Sequence, residues 1–229
     1  MVEAHQVLSQ VDRFARVAAQ AGEGEIGHLS VGVPGGVNEA LVETLKLLAT
    51  RYPGVRIELQ YMTTGMQVEA LREGRINVGF LNLPVQEPSL ILETVRREPL
   101  CVAMLKGHRL GKYQQIPLKA LEGERVIIFS RRVAPGLHDS ITGMFRNAGV
   151  TLNAVHETDS VVASLTLVSA DLGVAFSTRS NSALWPDLIF RPLKDSVPVE
   201  QAVAYRRDQQ SPVLDVFLRV VRQASRKNV

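Results

Sequence analysis

One cysteine in 229 residues, Cys101, leaves no partner for an intrachain disulfide and fits a reducing compartment. It sits between Leu100 and Val102 and reads as a small core residue rather than a reactive thiol. Long apolar runs are also missing, and none approaches the ~20 residues that a bilayer span needs. The start, Met1-Val2-Glu3-Ala4-His5-Gln6, lacks the basic residues and apolar stretch of a signal peptide, so a cytoplasmic protein with no membrane partner is expected. An excess of one charge is absent too. Against 23 Asp and Glu stand 26 Lys and Arg, a net +3, which is too small to argue for nucleic-acid binding by these residues.

Signals of catalysis are sparse. The five histidines, His5, His28, His108, His138 and His156, are scattered without metal-ligand spacing. His138 and Asp139 are neighbours on an expected helix, so their side chains diverge by about 100°. There is no Gly-x-Ser-x-Gly elbow, no Gly-x-x-x-x-Gly-Lys-Ser/Thr loop and no dinucleotide fingerprint joining a strand to a helix. No catalytic residue, metal or cofactor is expected.

What is present is a repeat. Apolar residues make up 45% and charged residues 21%, ordinary for a globular core. Residues 29–81 read as strand, helix, strand, helix, strand, and residues 125–176 run through that series again. Two successive parallel βαβ units imply an α/β fold of two Rossmann-like, doubly wound lobes facing each other across a cleft. The first lobe has strands at 29–33, 55–62 and 78–81, with helices at 38–51 and 65–73. Thr64 and Gln67 have the spacing of a capping box. Strands at 91–97 and 100–105 flank Glu98-Pro99, a candidate crossover or hinge. The second lobe has strands at 126–129, 152–156 and 173–176 and helices at 135–147 and 161–170, with Asp159 or Ser160 as cap of the latter. Strands at 189–193 and 199–206 follow, and Ser211-Pro212 launches a last helix over 212–225. Ahead of all this, residues 3–21 form a polar helix whose narrow seam, Ala4, Val7 or Leu8, Val11, Phe14, Ala18 and Ala21, resembles a coiled-coil stripe. Such a helix is marginal alone and calls for a partner helix.

Ligands of doubly wound folds bind outside the carboxyl ends of the strands, where helix N-termini point. Four strand-to-helix turns are expected there: Pro34-Gly35-Gly36, Thr63-Thr64-Gly65, Ser130-Arg131-Arg132 and Glu157-Thr158-Asp159-Ser160. Glycine lets backbone N–H groups approach a guest, and hydroxyls donate to a carboxylate. Arg131 and Arg132 would add positive charge opposite the Thr63-Thr64 turn. This set suits a small organic acid.

Several stretches then match a known family in order. Gly24-Glu25-Ile26-Gly27-His28-Leu29-Ser30-Val31-Gly32 and Tyr52-Pro53-Gly54-Val55 are two of them. Glu69-Ala70-Leu71-Arg72-Glu73-Gly74-Arg75-Ile76-Asn77-Val78-Gly79-Phe80 is a third, with Asn77 where aspartate is commoner. Leu167-Val168-Ser169-Ala170-Asp171-Leu172-Gly173-Val174-Ala175 is a fourth, with Asp171 in place of a glycine. The chain resembles the effector-binding region of LysR-type transcriptional regulators. The resemblance implies a type 2 periplasmic-binding-protein-like fold, with a linker and dimerisation helix over 1–24. Lobe I would span 25–98 and 207–229, and lobe II 99–206. It implies a small-molecule effector between the lobes, contacting Gly36, Thr63, Thr64, Ser130 and Phe176, and homo-oligomers, dimers or tetramers. DNA would be a partner only through an N-terminal winged helix-turn-helix that these residues do not contain. Two other readings use the same two-lobed scaffold. A free-standing solute-binding protein is disfavoured by the missing export signal, and an enzyme by the missing acid/base pair.

Overall fold

The computed structural model describes residues 17, 19–35 and 39–225. Apart from Ala21, which is helical and exposed, the seam of the expected N-terminal helix lies outside them, as does the candidate ligand residue Gly36. The chain builds β1 (Ile26–Val33), α1 (Glu39–Arg51), β2 (Gly54–Tyr61), α2 (Thr64–Arg72), β3 (Val78–Asn82) and β4 (Leu90–Glu98). It then builds β5 (Cys101–Leu105), β6 (Val126–Phe129), α3 (Pro135–Asn147), β7 (Ala154–Thr158), α4 (Val161–Ser169), β8 (Val174–Ser177) and β9 (Leu188–Pro192). It closes with β10 (Val199–Arg206) and α5 (Pro212–Ser225).

These strands form two five-stranded sheets, ordered β2-β1-β3-β10-β4 and β7-β6-β8-β5-β9. The expected repeat is therefore real. In each sheet the first strand of a βαβ unit lies parallel between the other two, with antiparallel strands beyond. The chain passes from one sheet to the other between Glu98 and Cys101, at Pro99, and returns between Pro192 and Val199.

The return corrects the expected lobe boundary at residue 206. β10 is not a strand of the second lobe: it pairs antiparallel with β3 and β4 in the first sheet. Its buried run Ala202-Val203-Ala204 suits an inner strand of either sheet, so nothing local assigns it. A second correction concerns β7, expected at 152–156 and found at Ala154–Thr158. Residues 154–157 are exposed, so apolar alternation cannot set the register of this edge strand.

Each lobe has its own apolar packing. In the first, α1 and α5 lie together on the sheet, and Leu41, Leu48, Leu214, Phe217 and Val221 pack with Leu29, Val31 and Phe80. Tyr52-Pro53 ends α1 because a helical residue before proline is disfavoured. Glu93 on β4 accepts two hydrogen bonds from Arg222 of α5, at 2.8 and 2.7 Å, and one from the Tyr205 hydroxyl at 2.7 Å. Arg222 holds the Glu93 carboxyl below the usual carboxylate range. In the second lobe Phe145 and Phe176 meet edge to face, with centroids 6.1 Å apart. Cys101 is buried, and burial pushes its thiol up to about 11, so it stays protonated near neutrality.

Both departures from the family motifs keep their geometry. The Asn77 side-chain oxygen accepts the Ser30 N–H at 2.8 Å, which needs an acceptor but no charge. Asp171 adopts φ +59°, a left-handed conformation that aspartate tolerates better than most residues. Gly173 has no such latitude. Its φ is +153°, and a Cβ there would lie 2.4 Å from the Arg125 carbonyl oxygen, an acceptor for the Val174 N–H. Gly173→Ala should therefore cost about 1–3 kcal/mol in backbone strain, with the clash added, measured as a lower urea midpoint.

Candidate ligand-binding cleft

Two adjoining cavities open between the sheets, with about 440 and 460 Å³ of atom-free space including their solvent mouths. Gly35, Asn82, Phe129, Leu137 and Val161 line both, so they are chambers of one cleft. Pro34, Tyr61, Thr63, Thr64, Asp159 and Ser160 belong to the first chamber. Leu100, Phe176, Ser177, Thr178 and Gln201 belong to the second. Both sheets contribute, and the carboxyl ends of β1, β3, β6 and β8 all reach the space.

The first chamber is ringed by hydroxyls whose acceptor side is already engaged. Thr63 caps α2, accepting the Met66 N–H at 3.4 Å. Thr64, expected as that cap, stands one position inside the helix and accepts the Asn82 N–H at 3.3 Å. The expected partner Gln67 is instead fully buried and donates to the Met62 carbonyl at 3.0 Å, so the capping box does not form. Ser160 caps α4 by accepting the Ala163 N–H at 3.2 Å. An oxygen that accepts from the backbone keeps its own hydrogen to donate. Thr63, Thr64 and Ser160 thus offer O–H donors beside two helix N-termini, an arrangement suited to an anion.

The expected cations do not reach this space. Neither Arg131 nor Arg132 lines either chamber, and both are exposed. Arg131 donates to both carboxylate oxygens of Asp139 at 2.7 and 2.9 Å, one turn into α3. This fork holds the Asp139 carboxyl below its ordinary range. Ser130 does not line the cleft either, since its turn presents the flanking Phe129, Val133 and Ala134. His138 fixes that turn by donating from Nδ1 to the Phe129 carbonyl at 2.8 Å. Among the described residues, Asp159 is the one charged residue lining the chambers. Among the described residues, no three His, Cys, Asp or Glu side chains are grouped to hold a metal, and no helix is long and apolar enough to cross a membrane.

Several lining residues escaped the sequence reading. Tyr61 and Asn82 end β2 and β3 at the carboxyl side, a position that could have marked them. Gln201 was out of reach, because it lies on the strand whose sheet only pairing decides.

The chain matches the family model described as LysR substrate binding domain over residues 22–226. It is 31% identical over 223 residues to the HTH-type transcriptional regulator ClcR of Pseudomonas putida, covering 93% of this chain and 74% of that protein. Its fold is similar to that of CbnR, a LysR family transcriptional regulator, with TM-score 0.84 and 26% identity over 96% of this chain and 77% of CbnR. CbnR is also known at full length in complex with its target DNA. The effector binding domain of BenM with its effector benzoate is similar at TM-score 0.72 and 26% identity, over 86% of this chain and 90% of that one. Two lobes of matching topology, the cleft between them and the family model across nearly the whole chain agree: the chain belongs to the LysR family of transcriptional regulators and carries its substrate-binding domain.

Proposed function

We propose that this domain senses a small organic acid in the inter-lobe cleft and works as a homo-oligomer, dimer or tetramer, within a DNA-binding regulator of the cytoplasm. One observation carries the choice of ligand. Three hydroxyls with engaged acceptor sides surround the first chamber at the N-termini of α2 and α4, while Phe129, Leu137 and Phe176 supply apolar walls. That combination suits a carboxylate on an aromatic or alicyclic body. The benzoate complex of BenM, similar in fold and sequence, supports the same class. Among the described residues no cation lines the chambers, so the charge would be met by hydroxyls and helix ends rather than by an arginine. Contact with DNA falls to a part of the regulator other than this chain. A ligand that touches both lobes favours one closure and thereby biases how subunits pack.

Thermal unfolding with benzoate and cyclohexanecarboxylate, each beside its neutral amide, tests this reading. An acid at a thousand times its Kd should stabilise by about 4 kcal/mol, and its amide far less. Thr63→Ala combined with Thr64→Ala should weaken the acid at least tenfold, and lose about 1 kcal/mol of stability with the cap. Equal responses to acid and amide would overturn the carboxylate assignment.

A further inference from the structure

We infer that the cleft selects acids that also carry a hydroxyl group, and that Gln201 with Asn82 makes the selection. The inference rests on the carboxylate reading above and extends it to the second chamber. Gln201 on β10 and Asn82 on β3 are direct register partners, and both line that chamber. Gln201 Nε2 donates to Asn82 Oδ1 at 3.2 Å. This bond uses one donor and one acceptor, which leaves the Gln201 carbonyl and the Asn82 NH2. Gln201 Oε1 is buried and has no hydrogen-bond partner among the described residues. Reversing both amides leaves the same balance, one carbonyl and one NH2.

A buried acceptor without a partner is unfavourable, and at the wall of a ligand cavity a guest can relieve it. A hydroxyl both donates and accepts, so a single such group answers the whole pair. A second carboxylate does not, since it has no hydrogen to give and meets the apolar Leu100, Phe176 and Val199. The placement fits a guest held at the first chamber. The Asn82 N–H is bonded to Thr64 Oγ1, so the amide pair begins beside the α2 N-terminus. Gln201 also sits where the β10–β4 register slips, an irregularity of the kind that re-aims side chains next to binding sites.

Calorimetric titration of the 229-residue chain with benzoate, 3-hydroxybenzoate and 4-hydroxybenzoate tests this, repeated on Gln201→Met. At least one hydroxybenzoate should bind ten times more tightly than benzoate. In Gln201→Met that ratio should fall to within about twofold. Equal affinity of all three acids for the unmodified chain overturns the hydroxyl selection and leaves the carboxylate reading standing. A ratio that survives in Gln201→Met removes Gln201 from the role. Binding by none of the three overturns both readings. Should Gln201→Met fail to fold, the comparison on the unmodified chain still decides.

Discussion

Glu98→Ala should destabilise the chain by about 3–5 kcal/mol, read from urea unfolding as a fall in midpoint at unchanged slope. Glu98 is the last residue of β4, directly before the crossover at Pro99. Its carboxylate is only 12% exposed and lies 2.6 Å from Arg96 Nε, whose side chain is 10% exposed. The contact is an ion pair by distance, and its angle falls short of an aligned hydrogen bond, which leaves the Arg96 Nε hydrogen without an acceptor. Glu98 also accepts from the Ser180 N–H at 3.1 Å and the Ser180 hydroxyl at 3.0 Å, in the 3-10 turn Arg179–Leu184 that follows β8. Truncation would strand a buried guanidinium and two donors from the other lobe at once. Glu39, 2.9 Å from Arg96 Nη2, is 54% exposed and cannot compensate from solvent. For the same reason Glu39→Ala should cost under about 1 kcal/mol. Equal effects of the two substitutions would show that Arg96 is held by water rather than by Glu98.

Phe217→Ala should cost a similar amount, about 3–5 kcal/mol, and lower Tm by roughly 6–20 °C. Phe217 of α5 is fully buried and meets Phe80 of β3 edge to face, with centroids 6.4 Å apart and planes at 77°. The pair adds about 0.5–1.5 kcal/mol beyond its buried area. The cavity left behind would be flanked by Leu29, Val31 and Leu41, held on β1 and α1, so collapse around it is restricted. Phe217→Leu, which retains most of the volume, should lose a fraction of this. A full-sized loss for leucine as well would mean that ring geometry, not volume, holds α5 to the sheet.

Elements with a strong local signature were legible from the residues. Ser211-Pro212 marks the start of α5, where the Ser211 hydroxyl accepts the Leu214 N–H at 3.4 Å. Ser160 caps α4, and Pro135–Asn147 forms α3 over its expected range. At the site, the hydroxyl turns at 63–64 and 160 were readable because a helix cap needs such residues at the carboxyl end of a strand. The exchange of roles between Thr63 and Thr64 was not. Two adjacent threonines have equal capping chemistry, and the choice followed from the Asn82 N–H on a neighbouring strand.

The residues were enough to place the two βαβ repeats, the crossover at Pro99 and a cleft edged by hydroxyls. Each follows from periodicity, proline and caps, which act over a few residues. Tertiary structure alone decided that β10 belongs to the first sheet, bringing Gln201 to Asn82, and that Arg131 pairs with Asp139 instead of facing the cleft. Strand pairing and ion pairing depend on which groups meet through space. Ala202-Val203-Ala204 fits either sheet, and an arginine at a turn goes to whichever carboxylate the fold sets nearest.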